Sequence, residues 1–222
     1  MSSWVDLAII SIVLLNLMVI SSSRISACIQ ITALQGIIIG LFPLIVDLNS
    51  ITVGTIVFSA VSVALKGFVF PCLLFRAQRE ANIRKEVESI GGYPFSLLMG
   101  VAVFLISCWL SSRLPYTHPL LSKWAVPVSL AAFFTGLFII VSRVKALTQV
   151  IGYLVLENGI YLFGMALLVK QSLLVELAIL LDIFVAVFVM GIAIFHISRE
   201  FDHIDTQNLD ELKDWVISQQ EL

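Results

Sequence analysis

Charge is the scarcest property of this sequence. Asp, Glu, Lys and Arg make up 13% of its 222 residues, about half the share of a soluble domain, while 59% are hydrophobic and the mean hydropathy is +1.04. Such a chain cannot maintain a water-soluble surface, so it reads as an all-α integral membrane protein. A net charge of −2 gives no basic patch for nucleic acid and no field for an acidic substrate. Cysteine is sparse too. Cys28, Cys72 and Cys108 are odd in number and lie in apolar runs, where they read as packing residues instead of a disulfide framework. Also lacking are a Gly-rich phosphate loop, a nucleophile elbow and a metal-ligand cluster, so no catalytic, cofactor-binding or metal site is expected on this chain.

What the chain has is long apolar runs. Seven are long enough to cross a bilayer, at about 4–22, 27–46, 51–75, 93–112, 124–142, 144–169 and 172–198. The first carries no basic n-region and no small-residue cleavage pattern, and it opens with Trp4 and Asp6, so it reads as a true span and not a signal peptide. With the N-terminus outside, the inner side holds eight basic residues (Arg24, Arg76, Arg79, Arg84, Lys85, Arg143, Lys145 and Arg199) and the outer side three (Arg113, Lys123 and Lys170). Seven spans then leave the C-terminus in the cytoplasm. Residues 76–92 mix charges with helix formers and read as a cytoplasmic extension of the third helix, stopped at Gly91-Gly92. The tail 199–222 is expected to hold a short amphipathic helix capped by Asn208 and Glu211, with Leu209, Leu212, Trp215 and Val216 awaiting a protein partner.

Sliding the chain by 119–120 residues superposes its first three spans on its last three. Trp4 then meets Trp124, Arg24 meets Arg143, Gln30 meets Gln149, Gly40 meets Gly159, and Arg79-Glu80 meets Arg199-Glu200. The pattern implies two parallel three-helix repeats, 1–75 and 124–198, joined by the connector 76–123 that carries the fourth span. Glu157 falls on Ile38 in this register, so the first repeat has lost its central acid.

That acid stands in Ile-Gly-Tyr-Leu-Val-Leu-Glu-Asn-Gly, the middle of the sixth span. An ionised carboxylate there costs roughly 2.5–3.5 kcal/mol on insertion scales, which points to a use for it. Tyr153 and Tyr161 lie four residues either side of Glu157, on its helix face, and Gly152, Gly159 and Gly164 admit close helix neighbours. Asp182 of the seventh span is expected at nearly the depth of Glu157, near the midplane, while Glu176 lies about one turn from its helix's outer end. His196 shares the face of Asp182. Lys66 of the third span lies to the cytoplasmic side of the midplane, either as counter-charge or as a proton carrier itself. Together Glu157, Asp182, Lys66, Tyr153, Tyr161, His196 and Glu176 form a candidate proton path. Structural alternatives stand beside these roles: a neutral interhelical hydrogen bond for Glu157, a structural role for Asp182, snorkelling for Lys66, and an interface position for Glu176 and His196.

On these residues the last three spans resemble the small K-type subunit of respiratory complex I and the C-type subunit of multisubunit sodium/proton antiporters. The whole chain, including Glu200-Phe-Asp-His-Ile-Asp-Thr and Leu212-Lys213-Asp214, resembles the hydrogenase-4 component E family. The resemblance implies a non-catalytic membrane-arm subunit in the bacterial inner membrane. Its partners would be large antiporter-like subunits, a quinone-site-like membrane subunit and hydrophilic hydrogenase subunits carrying nickel-iron and iron–sulfur centres. In K-type subunits a middle-helix glutamate lies on the proton path, and Glu157 takes the comparable place. The second family glutamate corresponds to Asp182 or Glu176. A cation/proton antiporter subunit without redox chemistry, a structural spacer and a stand-alone seven-helix receptor are the competing classes. Retinal binding is disfavoured, because the last span has no lysine for a Schiff base.

Overall fold

The computed structural model describes residues 2–46, 52–80, 92–114, 122–143, 145–167 and 191, and all regular structure within them is helical. The helices are α1 (Ser2–Ser21), α2 (Ile25–Val46), α3 (Val53–Ala64), α4 (Phe70–Glu80), α5 (Gly92–Arg113), α6 (Ala125–Ser142) and α7 (Ala146–Ala166). A single π-helical turn, Leu65–Val69, joins α3 to α4 into one continuous span. Six spans long and apolar enough to cross a membrane result: Trp4–Ser21, Ile25–Val46, Val53–Arg79, Phe95–Arg113, Ala125–Ser142 and Ala146–Ala166. Each falls within a few residues of an expected run. The seventh run, the tail 199–222 with its expected short helix, and residues 81–91 of the expected helical extension lie outside the described residues. The third span extends past 75 to Glu80 as expected, and Gly92 already opens α5.

Proline marks where helices begin, end or deform. Pro94 and Pro127 sit in first turns, where a missing N–H costs nothing, and Pro43 lies in the last turn of α2. Pro71 is interior. It removes one donor and crowds the carbonyl of Gly67, and the π-turn stands immediately before it, with the Phe70 N–H bonded to the Leu65 carbonyl.

Helix pairs are joined by tight turns. Residues 22–24 link α1 to α2, and residues 143–145 link α6 to α7. The Arg143 guanidinium donates to the Ile20 carbonyl at 3.1 Å, so α1 and α6 end side by side at one end of the bundle. Gln149 Nε2 donates to the Arg143 carbonyl at 3.0 Å and fixes the second turn. α2 is the central helix, packing on α1, α3, α4, the π-turn and α7, whereas α5 packs on α1 and α6.

The core is divided. One hydrophobic cluster contains Ile20, Ile29, Phe70, Leu74, Leu147 and Ile151; the other contains Ile9, Ile12, Ile39, Phe42, Val126 and Leu162. Along every helix that contributes to both, the residues between the clusters include the buried polar ones: Asn16, Thr32, Gln35, Ser129, Thr135, Glu157 and Asn158, with Ser62 and Lys66 at the same level on the third span. A polar layer therefore crosses the middle of the bundle.

Candidate functional site in the polar layer

Glu157 and Lys66 meet in this layer. The Lys66 ammonium donates to Glu157 Oε1 at 2.6 Å, with side chains 6% and 1% exposed. A second N–H of Lys66 reaches Asn158 Oδ1 at 3.3 Å. The Tyr161 ring lies 5.8 Å from Lys66 Nζ and is held by Phe58, 6.0 Å away centre to centre. Its contact with the site is through the ring face, a cation–π arrangement.

Three local features bring a lysine from the third span to an acid on the sixth. The π-turn carries Lys66 and inserts an extra residue, which re-aims the side chains around it. On α2, Gly36 lies against the lysine stem: a Cβ there would stand 2.7 Å from the Cβ of Lys66. On α7, Gly159 and Gly152 lie against the backbone of α6, where a Cβ on Gly159 would stand 2.9 Å from the Ser129 carbonyl oxygen and one on Gly152 3.0 Å from that of Gly136. Two of the three glycines expected to admit close neighbours thus do so.

Taking two charges out of water costs several kcal/mol per ion, which only close contact and further hydrogen bonds offset. Lys66 has both. Glu157 Oε2, in contrast, is buried with no hydrogen-bond partner among the described residues. Ammonium–carboxylate and neutral amine–acid forms of such a pair differ by one proton shifted along the 2.6 Å hydrogen bond. That exchange is the chemistry the arrangement offers.

Of the other expected residues, Tyr153 is half-buried one turn away, against the hydrophobic cluster that includes Ile151. Asp182, Glu176 and His196 lie outside the described residues, and so does the expected meeting of Glu157 with Asp182. Sequence reasoning missed Asn158 as a lysine partner, although it adjoins Glu157 in an otherwise apolar run. It also missed the buried pair in which Gln35 Nε2 donates to Asn16 Oδ1 at 3.1 Å. Amides within apolar spans were the available signal. Cys28 packs in the core as expected, whereas Cys72 is exposed on α4. Among the described residues no three His, Cys, Asp or Glu side chains form a group able to hold a metal ion.

Six apolar spans among the described residues, one of them carrying an acid among glycines, define a multi-pass membrane protein, and residues 124–214 match the family model of NADH-ubiquinone/plastoquinone oxidoreductase chain 4L. Glu157 lies within the match. The chain is similar to hydrogenase-4 component E. It is 29% identical over 160 residues to that protein from Escherichia coli K12, covering 71% of this chain and 73% of the relative, and the Shigella flexneri protein matches equally. The uncharacterized protein Rv0085 of Mycobacterium tuberculosis is 29% identical over 211 residues, 95% of this chain and 96% of its own length. No solved structure matches the chain.

Proposed function

We propose that this protein is a non-catalytic membrane-arm subunit of a redox-driven, proton-translocating complex of the hydrogenase-4 type, and that Glu157 and Lys66 lie on its proton path. The observation that carries the reading is the buried 2.6 Å contact between them, with the second carboxylate oxygen of Glu157 left without a partner among the described residues. A carboxyl held at mid-bilayer, tied to a base on one oxygen and open on the other, suits a group that takes up and releases protons in turn. The relatives named for hydrogenase-4 support the redox setting. In this reading a seventh span at 172–198 brings Asp182 to the level of Glu157, with Tyr153, Tyr161, Glu176 and His196 along the route. The N-terminus faces outward, the C-terminus is cytoplasmic, and the two halves are parallel repeats bridged by the span α5. Nickel-iron and iron–sulfur centres belong to partner chains, alongside antiporter-like and quinone-site-like membrane subunits.

The test is Glu157→Gln in the intact complex. Proton movement per redox turnover is expected to fall at least tenfold while the complex still assembles. Full-rate movement in the variant would refute the role and leave the chain a spacer.

A further inference from the structure

The Lys66 ammonium has three N–H groups, and the described residues account for two. Beside it lies a small pocket with about 10 Å³ of room, lined by Thr32, Gly36, Lys66, Pro71 and Asn158 among others. A buried water needs roughly 10–15 Å³ of such space and two or more polar partners, so the cavity has room for one molecule. Thr32 is only 4% exposed, and its hydroxyl has no hydrogen-bond partner among the described residues. A threonine hydroxyl in a helix commonly bonds back to the preceding turn, and this one does not. Two residues that each have an unfilled hydrogen bond, Thr32 and Lys66, thus line one water-sized space.

We infer that this cavity is a built hydration site: a single water bridges Thr32 Oγ1 and the third N–H of Lys66, and Thr32 acts through it as a positioning residue for the Lys66–Glu157 pair. The water completes the hydrogen bonding of a buried ammonium and restrains it where it touches Glu157. Gly36 makes the site possible, since any side chain there would collide with the lysine stem. The N-terminal helices thereby do more than support the acid-bearing half. They supply both the counter-charge and the water that holds it. The hydration site itself is independent of the proton-path reading; the effect of Thr32 on proton movement rests on that reading.

The experiment is a high-resolution cryo-electron microscopy map of the purified complex, paired with proton-movement assays on Thr32→Val, Thr32→Ser and Glu157→Gln. Valine matches threonine in shape and removes only the hydroxyl. A water peak between Thr32 and Lys66 is expected in the wild type and in Thr32→Ser, and none in Thr32→Val. Proton movement per turnover should fall about fivefold in Thr32→Val with a shifted pH profile, and Thr32→Ser should retain wild-type values for both. A dry cavity in the wild-type map overturns the hydration site. A wet cavity with wild-type rates and pH profile in Thr32→Val overturns the positioning role, provided Glu157→Gln is impaired. Were Glu157→Gln unimpaired, the proton-path reading would fall and the map alone would decide the hydration site.

Discussion

At the scale of the residue, the Lys66–Glu157 pair is costly as two charges and favourable only as a unit. Removing one partner of a buried pair leaves the other uncompensated, which typically costs about 3–5 kcal/mol, whereas replacing both with neutral groups is often tolerated. Lys66→Met is therefore expected to lower the thermal denaturation midpoint markedly, and Glu157→Gln to do so less, since glutamine still accepts a hydrogen bond from the lysine. The double variant Lys66→Met/Glu157→Gln should recover much of the loss from Lys66→Met. Coupling above about 1 kcal/mol in the cycle would mark the two as one unit. Strictly additive midpoints, measured at a single scan rate, would mean that the two do not interact. Glu157 was legible in the sequence because an acid inside an apolar run stands out wherever the run packs. Its partner was only a candidate there, since Lys66 reaches it from 91 residues away. A lysine stem can reach either an acid or the membrane surface, and spacing alone does not choose between them.

At the scale of the element, the same contrast recurs. Six spans were readable from run length, because crossing a bilayer requires about 20 apolar residues whatever the helix packs against. Helix faces were not readable. Exposed positions such as Leu98, Leu105 and Trp109 on α5 are as apolar as the buried core, so periodicity carries little information about packing. The π-turn escaped as well. Its signal was Lys66-Gly67 just ahead of an interior Pro71, a local pattern that permits a bulge without demanding one. Glycine was the better guide, since Gly152 and Gly159 mark the α6–α7 contact. A methyl group on Gly159 would meet the backbone of Phe133 and Ser129, which cannot give way as a flexible side chain does. Gly159→Ala should accordingly cost about 1–3 kcal/mol of stability. Gly54→Ala, with nothing within 4 Å of the added atom, should be neutral or slightly stabilising. Equal thermal midpoints for these two variants would contradict the close α6–α7 packing.

At the scale of the whole molecule, the described helices leave long apolar faces uncovered. Leu7, Ile10, Leu14 and Met18 form a stripe on α1, and Ile56, Val57, Val61 and Phe68 are exposed on the third span. Lipid can cover such faces, and so can the helices of other subunits, because tails and leucines are equally apolar. The redox reading requires that part of this surface be subunit interface, since it places the metal centres on other chains, to which this one has to be coupled. Extraction in mild detergent should therefore recover the protein with larger membrane subunits and hydrophilic chains, and metal analysis of the purified assembly should find both iron and nickel. Glu157→Gln should leave that metal content unchanged, because the proposed function places the acid on the proton path and not at the redox centres. Large membrane partners free of iron and nickel would transfer the chain to the cation/proton antiporters, where the same lysine–glutamate pair would serve ion exchange without electron transfer. A monodisperse, functional monomer would exclude both classes and require the uncovered faces to be lipid-facing throughout.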